Sequence, residues 1–245
     1  MKEQADHWDR LSVHPPDASV IDPGDRSGRK NRYIASVRDE SILESLNGIR
    51  ADSVVLDFGC GTGSLTRALV ASGRHVLGVD ISAGLLQRTP ERTLGDSALF
   101  VRYDGTRLPV ADASVGVVTT YVVLNHVIDD DALVAILREL HRVLVPGGRL
   151  VAIEQVRTRR TIDKSAWQHR RTFGDFLSHF TAAGFESVSA DIVRYGRLPS
   201  TYALRYGLLP ESWTPSLRRF ELRLGTWLGI VAWDYCDVRF VVQKR

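Results

Sequence analysis

The stretch Val54–Leu65, with the sequence VVLDFGCGTGSL, decides the fold. Apolar residues suited to a buried strand lead to the acid Asp57, and Gly59, Gly61 and Gly63 then occupy alternate positions. Glycines in a turn between a strand and a helix allow positive φ angles and let the main chain approach a ligand that a Cβ atom would exclude. The stretch therefore predicts a nucleotide-binding turn at the end of a strand.

The glycine spacing argues against two common nucleotide sites. A dinucleotide site of the GxGxxG or GxGxxA type needs glycine or alanine at its last position. That position is Ser64 if the motif starts at Gly59 and Thr66 if it starts at Gly61, so neither alignment fits. The chain also has no GxxxxGKS/T sequence, which excludes a P-loop. An acid followed by GxGxG supplies bare backbone and a carboxylate, so it favours a cationic ligand that contains adenosine.

Apolar runs that suit strands alternate with helical stretches on both sides of this turn. The predicted strands are SVVLDF, HVLGVD, ALFVRYD, VGVVTTYVVL, RLVAIEQ, ESVSADIVR and CDVRFVVQK. Alternation of this kind is typical of an α/β fold with a doubly wound, mostly parallel sheet, in which ligands bind at the carboxyl ends of the strands. Pro90 is predicted to break the helix that follows the second strand.

The chain divides into three parts along its length. Residues 1–50 are predicted to form an N-terminal arm, with a short helix around Trp8, and a cap helix. Residues 51–193 and 235–245 are predicted to form the ligand-binding core, and residues 194–234 a helical insertion before the last strand.

The insertion contains a helical segment, residues 216–233, with one apolar stripe. The stripe comprises Leu217, Phe220, Leu224, Trp227, Leu228 and Val231, while Arg218, Arg219 and Arg223 lie largely off it. An apolar stripe of this kind is buried against something. We expect it to form a wall or lid over the acceptor, with a dimer contact or a membrane contact as alternatives.

Composition limits the partners and the compartment. With 245 residues, 44% of them hydrophobic, the chain can form one large α/β domain, and its net charge of +3 provides no nucleic-acid-binding field. Cys60 and Cys236 form no CxxC pair, which argues against a zinc site or a disulfide framework. The charged start lacks the apolar segment of a signal peptide. We expect a cytoplasmic monomer or homodimer without a metal, a nucleic-acid partner or stable membrane association.

Taken together, these motifs resemble those of the class I S-adenosylmethionine-dependent methyltransferases. VVLDFGCGTGSL is similar to the first motif of that family, and Asp80 ends the second strand in VLGVDIS, 23 residues after Asp57. YDGTRLPVADASVGVV and LHRVLVPGGRLVAIE follow in the order and spacing of the later family motifs. The resemblance covers roughly residues 50–190 and implies a Rossmann-like, seven-stranded fold that binds S-adenosyl-L-methionine.

The resemblance implies a role for the motif residues in binding the cofactor. Asp80 would hold the two ribose hydroxyls, which suits a carboxylate because it accepts hydrogen bonds from both. Asp104 and Gly105 would contact the adenine, and Lys30 or Tyr33 from the N-terminal helix would contact the methionine carboxylate. The expected cofactor-binding residues are Asp57, Gly59, Cys60, Gly61, Gly63, Asp80, Ile81, Asp104, Gly105, Tyr121, Lys30 and Tyr33.

Several of these assignments have a purely structural alternative. Asp57 can cap the following helix, Asp80 can be a turn residue at a strand end, and Cys60 can simply fill space in the loop. Lys30 and Tyr33 can belong to a solvated helix. The acids at 129–131 precede a helix, so helix capping is favoured over metal binding.

The end of the fourth strand, TTYVVLNHVID, bears on the acceptor atom. It lacks the D/N-P-P-Y/F sequence typical of methyltransferases that act on exocyclic amines. Methyl transfer to a hydroxyl needs alignment and removal of a proton, for which His126 is a candidate base and His169 a second one. His126 can equally be a structural support. The basic loop 157–171 either recognises an acidic substrate or forms a solvated surface.

The sequence therefore predicts methyl transfer to a small molecule, with a hydroxyl of a sugar or specialised metabolite as the favoured acceptor. The alternatives are N- or C-methylation of a small molecule, methylation of RNA or protein, and a non-catalytic subunit that binds S-adenosylmethionine.

Overall fold

The computed structural model describes residues 2–15, 17, 19, 21–89, 95–196, 198–228 and 235–245. Its strands are β1 (Val55–Phe58), β2 (Val76–Asp80), β3 (Ala98–Arg102), β4 (Val115–Tyr121), β5 (Leu144–Val156), β6 (Thr161–Asp163), β7 (Gln168–Arg170), β8 (Phe185–Tyr195) and β9 (Cys236–Lys244). Seven of them form one sheet in the order β3-β2-β1-β4-β5-β9-β8, in which β9 runs antiparallel to its neighbours. The predicted doubly wound, mostly parallel sheet is confirmed. The remaining strands, β6 and β7, form a small hairpin.

Helices cover both faces of the sheet. They are α1 (Lys2–Leu11), α2 (Arg29–Ser45), α3 (Ser64–Ala71), α4 (Ala83–Leu86), α5 (Asp130–Val143), α6 (Phe173–Ala182), α7 (Pro199–Arg205) and α8 (Thr214–Leu228). Every helix within the described residues is too short or too polar to cross a membrane. Pro90, predicted to break a helix, lies outside the described residues, as does the end of the predicted helix 216–233 beyond position 228.

The core consists of two apolar layers, one on each face of the sheet. Along β1, Leu56 belongs to the layer formed with α5 and α6, whereas Val55 belongs to the layer formed with α2 and α3. The same alternation occurs in β4, with Val118 on the first face and Val117 on the second. Strands buried on both faces account for the apolar runs in the sequence.

Asp129 is the N-terminal cap residue of α5, and its Oδ1 accepts a hydrogen bond from the backbone N–H of Ala132 at 2.8 Å. This confirms the capping interpretation of the acids at 129–131. Among the described residues, no cluster of histidine, cysteine and acidic side chains has an arrangement that could hold a metal ion.

The insertion helix α8 packs with a different face from the one predicted. Glu221 and Gly225 are buried, while Phe220 and Trp227 are 60% and 80% exposed. The carboxylate of Glu221 accepts a hydrogen bond from the Tyr33 hydroxyl, and a Cβ at Gly225 would lie 2.1 Å from the Tyr195 ring. These two close contacts fix the rotation of α8, so the predicted apolar stripe is not buried as one face.

The sheet order places the switch point between β1 and β4. From β1 the chain adds β2 and β3 on one side, and then crosses over to add β4 on the other. The loops that follow β1 and β4 run in opposite directions from this point, which opens a crevice at the carboxyl ends of the strands.

Candidate active site

A cleft of about 750 Å³, including its open mouth, lies at this switch point. Residues that follow β1, β2, β3 and β4 form its floor and walls, and α1 covers it. Its lining residues are Gln4, Trp8, Phe58, Gly59, Gly61, Val79, Asp80, Ile81, Leu85, Tyr103, Tyr121, Val122, Val123, His126, Val127 and Ile136. Five of the predicted cofactor-binding residues therefore line the cleft, namely Gly59, Gly61, Asp80, Ile81 and Tyr121.

The glycine turn after β1 is packed so closely that one position has no room for a side chain. Gly59 has a φ of 73°, and a Cβ there would lie 2.3 Å from Cγ2 of Val123. The backbone N–H groups of Gly59 and Cys60 both donate to the Val79 carbonyl, at 2.8 and 3.1 Å. The turn thus brings the loops after β1, β2 and β4 together around the cleft.

Gly63 and Cys60 do not line the cleft. Gly63 is the N-terminal cap residue of α3, with a φ of 78°. Cys60 is buried, its backbone N–H is used by Val79, and burial raises the pKa of its thiol well above the usual value. Both residues shape the turn, and their contact with a cofactor stays a prediction.

Asp80 lies at the end of β2 with its carboxylate in the cleft wall. Its Oδ2 accepts a hydrogen bond from the Gly61 backbone N–H and its Oδ1 one from the Ser82 backbone N–H, each at 2.8 Å. Burial raises its pKa, although both hydrogen bonds oppose that rise. A carboxylate has about four acceptor positions, so Asp80 keeps free lone pairs for two ligand hydroxyls. This arrangement fits the ribose of S-adenosylmethionine.

Asp57 has a different role from either prediction. Asp57 does not line the cleft. It does not cap α3 either, because the N-terminal cap residue of that helix is Gly63 and no side chain caps it. Its Oδ2 accepts a hydrogen bond from the Thr66 hydroxyl at 2.6 Å, and its Oδ1 a longer one from the Thr119 hydroxyl at 3.4 Å. Asp57 therefore ties α3 to β4, and burial raises its pKa to about 6.

The segment after β3 contributes Tyr103 rather than Asp104 to the cleft. Asp104 is exposed, and its Oδ1 accepts hydrogen bonds from the backbone N–H and the hydroxyl of Thr106, at 2.8 and 2.7 Å. Gly105 has a φ of 91° and completes this turn outside the cleft lining. The predicted adenine contacts of Asp104 and Gly105 are not formed by the cleft as it stands.

Lys30 and Tyr33 do not reach the cleft either. The Lys30 ammonium forms an ion pair with Asp22 at 2.6 Å, and the buried Tyr33 hydroxyl donates to Glu221. From α2, the Arg38 guanidinium lies 5.4 Å from the ring centroid of Tyr121, which lines the cleft.

Helix α1 provides the cover that was expected from α2. The Gln4 side-chain N–H donates to the backbone carbonyl of His126 at 2.9 Å, and the Trp8 ring meets the His126 ring edge-on at 4.8 Å between centroids. Asp9 accepts hydrogen bonds from the Ser82 hydroxyl and from the backbone N–H of Gly84. The helix is therefore fastened to both sides of the cleft.

The loop after β4 carries the candidate base. Val122 has a φ of 52°, a strained value for a β-branched residue, and such strain is concentrated at functional sites. His126 follows, with its Nδ1 2.8 Å from the carbonyl oxygen of Trp167. A carbonyl only accepts hydrogen bonds, so Nδ1 carries the proton and Nε2 is left as an acceptor. Burial lowers the pKa of His126 to about 4, so the ring is neutral near pH 7.

His169 is not placed to act as a base. It is buried and outside the cleft lining, with its Nδ1 2.7 Å from the Ile128 carbonyl. The Arg160 guanidinium donates to its Nε2 at 2.8 Å. Both ring nitrogens are occupied, so the second candidate base is instead a structural residue.

The basic loop 157–171 is not a free cationic surface over its whole length. It contains the β6–β7 hairpin, and Arg160 and Arg171 both pair with Asp130, while Arg170 pairs with Asp163. The two pairs with Asp130 hold the loop against α5, and Arg171 is fully buried, so the loop is not the plain solvated surface of the structural alternative.

Two fully buried charged residues beside the cleft, Glu154 and Arg171, were not predicted from the sequence. Glu154 accepts hydrogen bonds from backbone N–H groups of the loop after β4, and Arg171 donates to carbonyls of the same loop. The signal for Glu154 was a single acid within the apolar strand RLVAIEQ. Arg171 was hidden among the other basic residues of its loop.

Comparisons of the sequence and of the fold with known proteins both match methyltransferases. Residues 56–152 match a family model described as a methyltransferase domain. A solved geranyl diphosphate C-methyltransferase from Streptomyces coelicolor, in complex with S-adenosyl-L-homocysteine, has the same fold with a TM-score of 0.68 at 17% identity, covering 100% of this chain and 97% of that one.

Curated relatives cover a smaller part of the chain. A demethylmenaquinone methyltransferase from Clavibacter sepedonicus is 43% identical over 101 residues, which are 41% of this chain and 40% of that protein. A ubiquinone/menaquinone biosynthesis C-methyltransferase from Hahella chejuensis is 40% identical over 116 residues, 44% of this chain and 45% of that protein. The chain thus spans less than half the length of these relatives. Residues 56–152 thus match a methyltransferase domain, and the fold around them is that of a solved methyltransferase that binds S-adenosyl-L-homocysteine.

Proposed function

We propose that this protein transfers the methyl group of S-adenosylmethionine to a ring carbon of an uncharged, hydroxylated aromatic acceptor of the quinol class. The observation that carries the proposal is the combination, in one cleft, of a ribose-type carboxylate at Asp80 with a neutral imidazole at His126 and apolar walls. Similarity to a demethylmenaquinone methyltransferase and to a ubiquinone/menaquinone biosynthesis C-methyltransferase supports the same acceptor class.

The residues of the cleft fit the cofactor. Asp80 has free acceptor positions for the ribose hydroxyls, and the bare backbone at Gly59 and Gly61 leaves room beside it. Phe58 and Tyr103 offer apolar surface for a nucleobase. When bound, S-adenosylmethionine supplies a methyl group on a sulfonium: the acceptor carbon bonds to it as the C–S bond breaks, and that electron pair stays on sulfur.

The charge of the cleft favours a neutral acceptor. Among the described residues, no lysine or arginine lines it, so a phosphate or carboxylate on the reacting end of the acceptor would be unpaired. Trp8, Val123, Val127 and Ile136 supply the apolar contacts that an aromatic ring needs.

The low basicity of His126 favours an acceptor that is itself acidic. A general base is most effective when its pKa lies near the working pH, and His126, with a pKa of about 4, is a weak base. Its Nε2 suits a phenolic hydroxyl, which has a pKa of about 10, far better than the hydroxyl of a sugar. As His126 takes the phenolic proton, electron density moves to the ring carbon that receives the methyl group. The proton on that carbon then leaves to solvent and aromaticity returns.

Transfer to the phenolic oxygen of the same acceptor is the second candidate, because His126 would remove the same proton. The sugar hydroxyl expected from the sequence is a weaker candidate, because His126 is a weak base and a sugar hydroxyl is far less acidic than a phenol. For the insertion, residues 194–234, a wall over the acceptor stays a prediction: among the described residues none from this segment lines the cleft, and α8 packs on α2 through Glu221 and Tyr33.

The test uses the purified full chain. Calorimetric titration with S-adenosylmethionine should give saturable binding, and incubation with a naphthohydroquinone should release S-adenosylhomocysteine. Carbon NMR of the product distinguishes a C-methyl from an O-methyl group. Release with a sugar but not with any quinol or phenol would replace the proposed acceptor class, and the absence of cofactor binding would overturn the proposal.

A further inference from the structure

Glu154, in β5, is a fully buried carboxylate that does not line the cleft. Its Oε1 accepts hydrogen bonds from the backbone N–H groups of Val123 and Leu124, at 3.0 and 2.9 Å, and its Oε2 accepts one from Asn125 at 3.2 Å. Three consecutive N–H groups of the loop after β4 therefore converge on one side chain. The loop has its strained residue, Val122, immediately before this point.

Arg171 holds the same loop from its carbonyl side. It is 0% exposed, and it donates to the backbone carbonyls of Leu124 at 3.0 Å and Val127 at 2.8 Å. Its remaining hydrogen bonds go to the carboxylate of Asp130, at 3.1 and 2.8 Å. The planar guanidinium spans these groups with a fixed geometry that a lysine could not supply.

The loop between these two side chains forms one wall of the cleft. Val123, His126 and Val127 line the cleft, and Val123 is the residue that a Cβ at Gly59 would strike. A shift of this loop would move the candidate base and the wall against the glycine turn together. Misplacement by about an ångström is enough to slow a positioned reaction a hundredfold.

We propose that Glu154 and Arg171 form a buried clamp that positions the loop Val122–Val127 for methyl transfer, and that the clamp requires the ionised form of Glu154. The second part rests on the proposed function, because activity is its readout. A carboxylate accepts all three N–H groups, whereas a carboxylic acid carries an O–H that faces backbone donors. Protonation of Glu154 therefore opens one side of the clamp.

The surroundings of Glu154 set the pH range of this effect. Burial raises its pKa to about 7, and the three backbone N–H groups and the charge of Arg171 act in the opposite direction. Arg171 in turn pairs with Asp130, at 2.8 Å. His126, on the clamped loop, titrates with a pKa of about 4, well below this range.

The sign of the linkage separates a positioning role from a stabilising one. Because the pKa of Glu154 is raised on folding, its contribution to stability is fully present below the unfolded value of 4.5 and is lost as pH rises through about 7. Activity that depends on the clamp instead increases as pH rises through about 7, because Glu154 becomes ionised. A residue that merely stabilises the fold would not give these opposite trends.

The test compares Glu154→Gln with Glu139→Gln as the matched control. Glu139 also accepts a backbone N–H, from Leu108 at 3.1 Å, and pairs with Arg142, but neither partner belongs to the loop Val122–Val127. In Glu154→Gln the amide hydrogen exchange of Val123, Leu124 and Asn125 should accelerate about tenfold or more, because the glutamine NH₂ faces a backbone donor. The control should leave exchange at these three positions unchanged.

Activity provides the second readout. The wild type should lose kcat as pH falls through about 7, and Glu154→Gln should have a lower kcat without that limb. If Glu154→Gln does not fold, Arg171→Lys is measured in the same way and should accelerate exchange in the same loop. Unchanged exchange, or a limb near pH 7 that persists in the Gln variant, would overturn the clamp. Failure of the wild type to methylate any acceptor would overturn the proposed function alone, because exchange still tests the clamp.

Discussion

The side-chain amide of Gln4 donates a hydrogen bond to the backbone carbonyl of His126 at 2.9 Å, although 122 residues separate them in the chain. With the edge-on contact of Trp8 on the His126 ring, this bond makes α1 part of the cleft. If the cofactor binds in the cleft as proposed, α1 shields it from water, which strengthens the electrostatic interactions there.

Trp8→Ala should open this cover. The loss of its apolar contact should weaken S-adenosylmethionine by about tenfold, which corresponds to about 1.4 kcal/mol. Stopped-flow measurement of cofactor release should locate most of the loss in a faster dissociation rate. Val13→Ala, just beyond α1 and 78% exposed, is the control and should bind as the wild type does. Equal affinity in Trp8→Ala would mean that α1 is not a cover.

The part of the site that the sequence could predict is the part built from local backbone chemistry. The glycines of the turn and the carboxylate of Asp80 lie at the ends of strands β1 and β2, whose positions follow from the apolar pattern. Their geometry depends on short segments of chain, so it is visible in the sequence.

The remaining contacts depend on pairs that are far apart in the chain. Glu154 binds the Val123 N–H across 31 residues, and Arg171 binds the Leu124 carbonyl across 47. The buried face of α8 was also predicted wrongly from its helical pattern. The hydrogen bond between Tyr33 and Glu221, 188 residues apart, places Glu221 on the buried face instead. Tertiary contacts of this kind override an amphipathic pattern that would otherwise fix the buried face.

Asp80→Asn should weaken the cofactor and leave the fold intact. The amide replaces one acceptor oxygen with a donor that faces the Gly61 or Ser82 N–H, and it loses the charge-assisted bonds to ribose. We expect a loss of about 2 kcal/mol, or roughly thirtyfold in Kd. Calorimetry gives the Kd and circular dichroism the fold; a variant that binds within about twofold of wild type would contradict the assignment.

Gly59→Ala should abolish cofactor binding because it combines positive φ with a clash. The new Cβ would lie 2.3 Å from Cγ2 of Val123. Gly73→Ala is the matched control, since Gly73 has a φ of 85° and no heavy atom within 4 Å of an added Cβ. The control should lose about 1 kcal/mol of unfolding free energy in a urea titration and keep its affinity for the cofactor. Comparable effects of the two substitutions would mean that backbone strain alone is responsible.

His126→Ala should lower turnover about a hundredfold with little change in cofactor affinity, since Nε2 acts on the acceptor. Imidazole is active as a base only when neutral, so the contribution of His126 is lost as pH falls through about 4. In the Glu154→Gln background, the acidic limb of kcat should therefore appear near this lower value. A limb near the ordinary histidine value of about 6.5 would show that His126 is not held as described.

S-adenosylmethionine with a deuterated methyl group allows the transferred methyl group to be followed to its acceptor atom. Mass spectrometry and carbon NMR of the product from a naphthohydroquinone should find the intact deuterated methyl group on a ring carbon, formed by the wild type and lost in proportion to binding in Asp80→Asn. Product without the label, or equal transfer by the Asp80→Asn variant under subsaturating cofactor, would contradict the account.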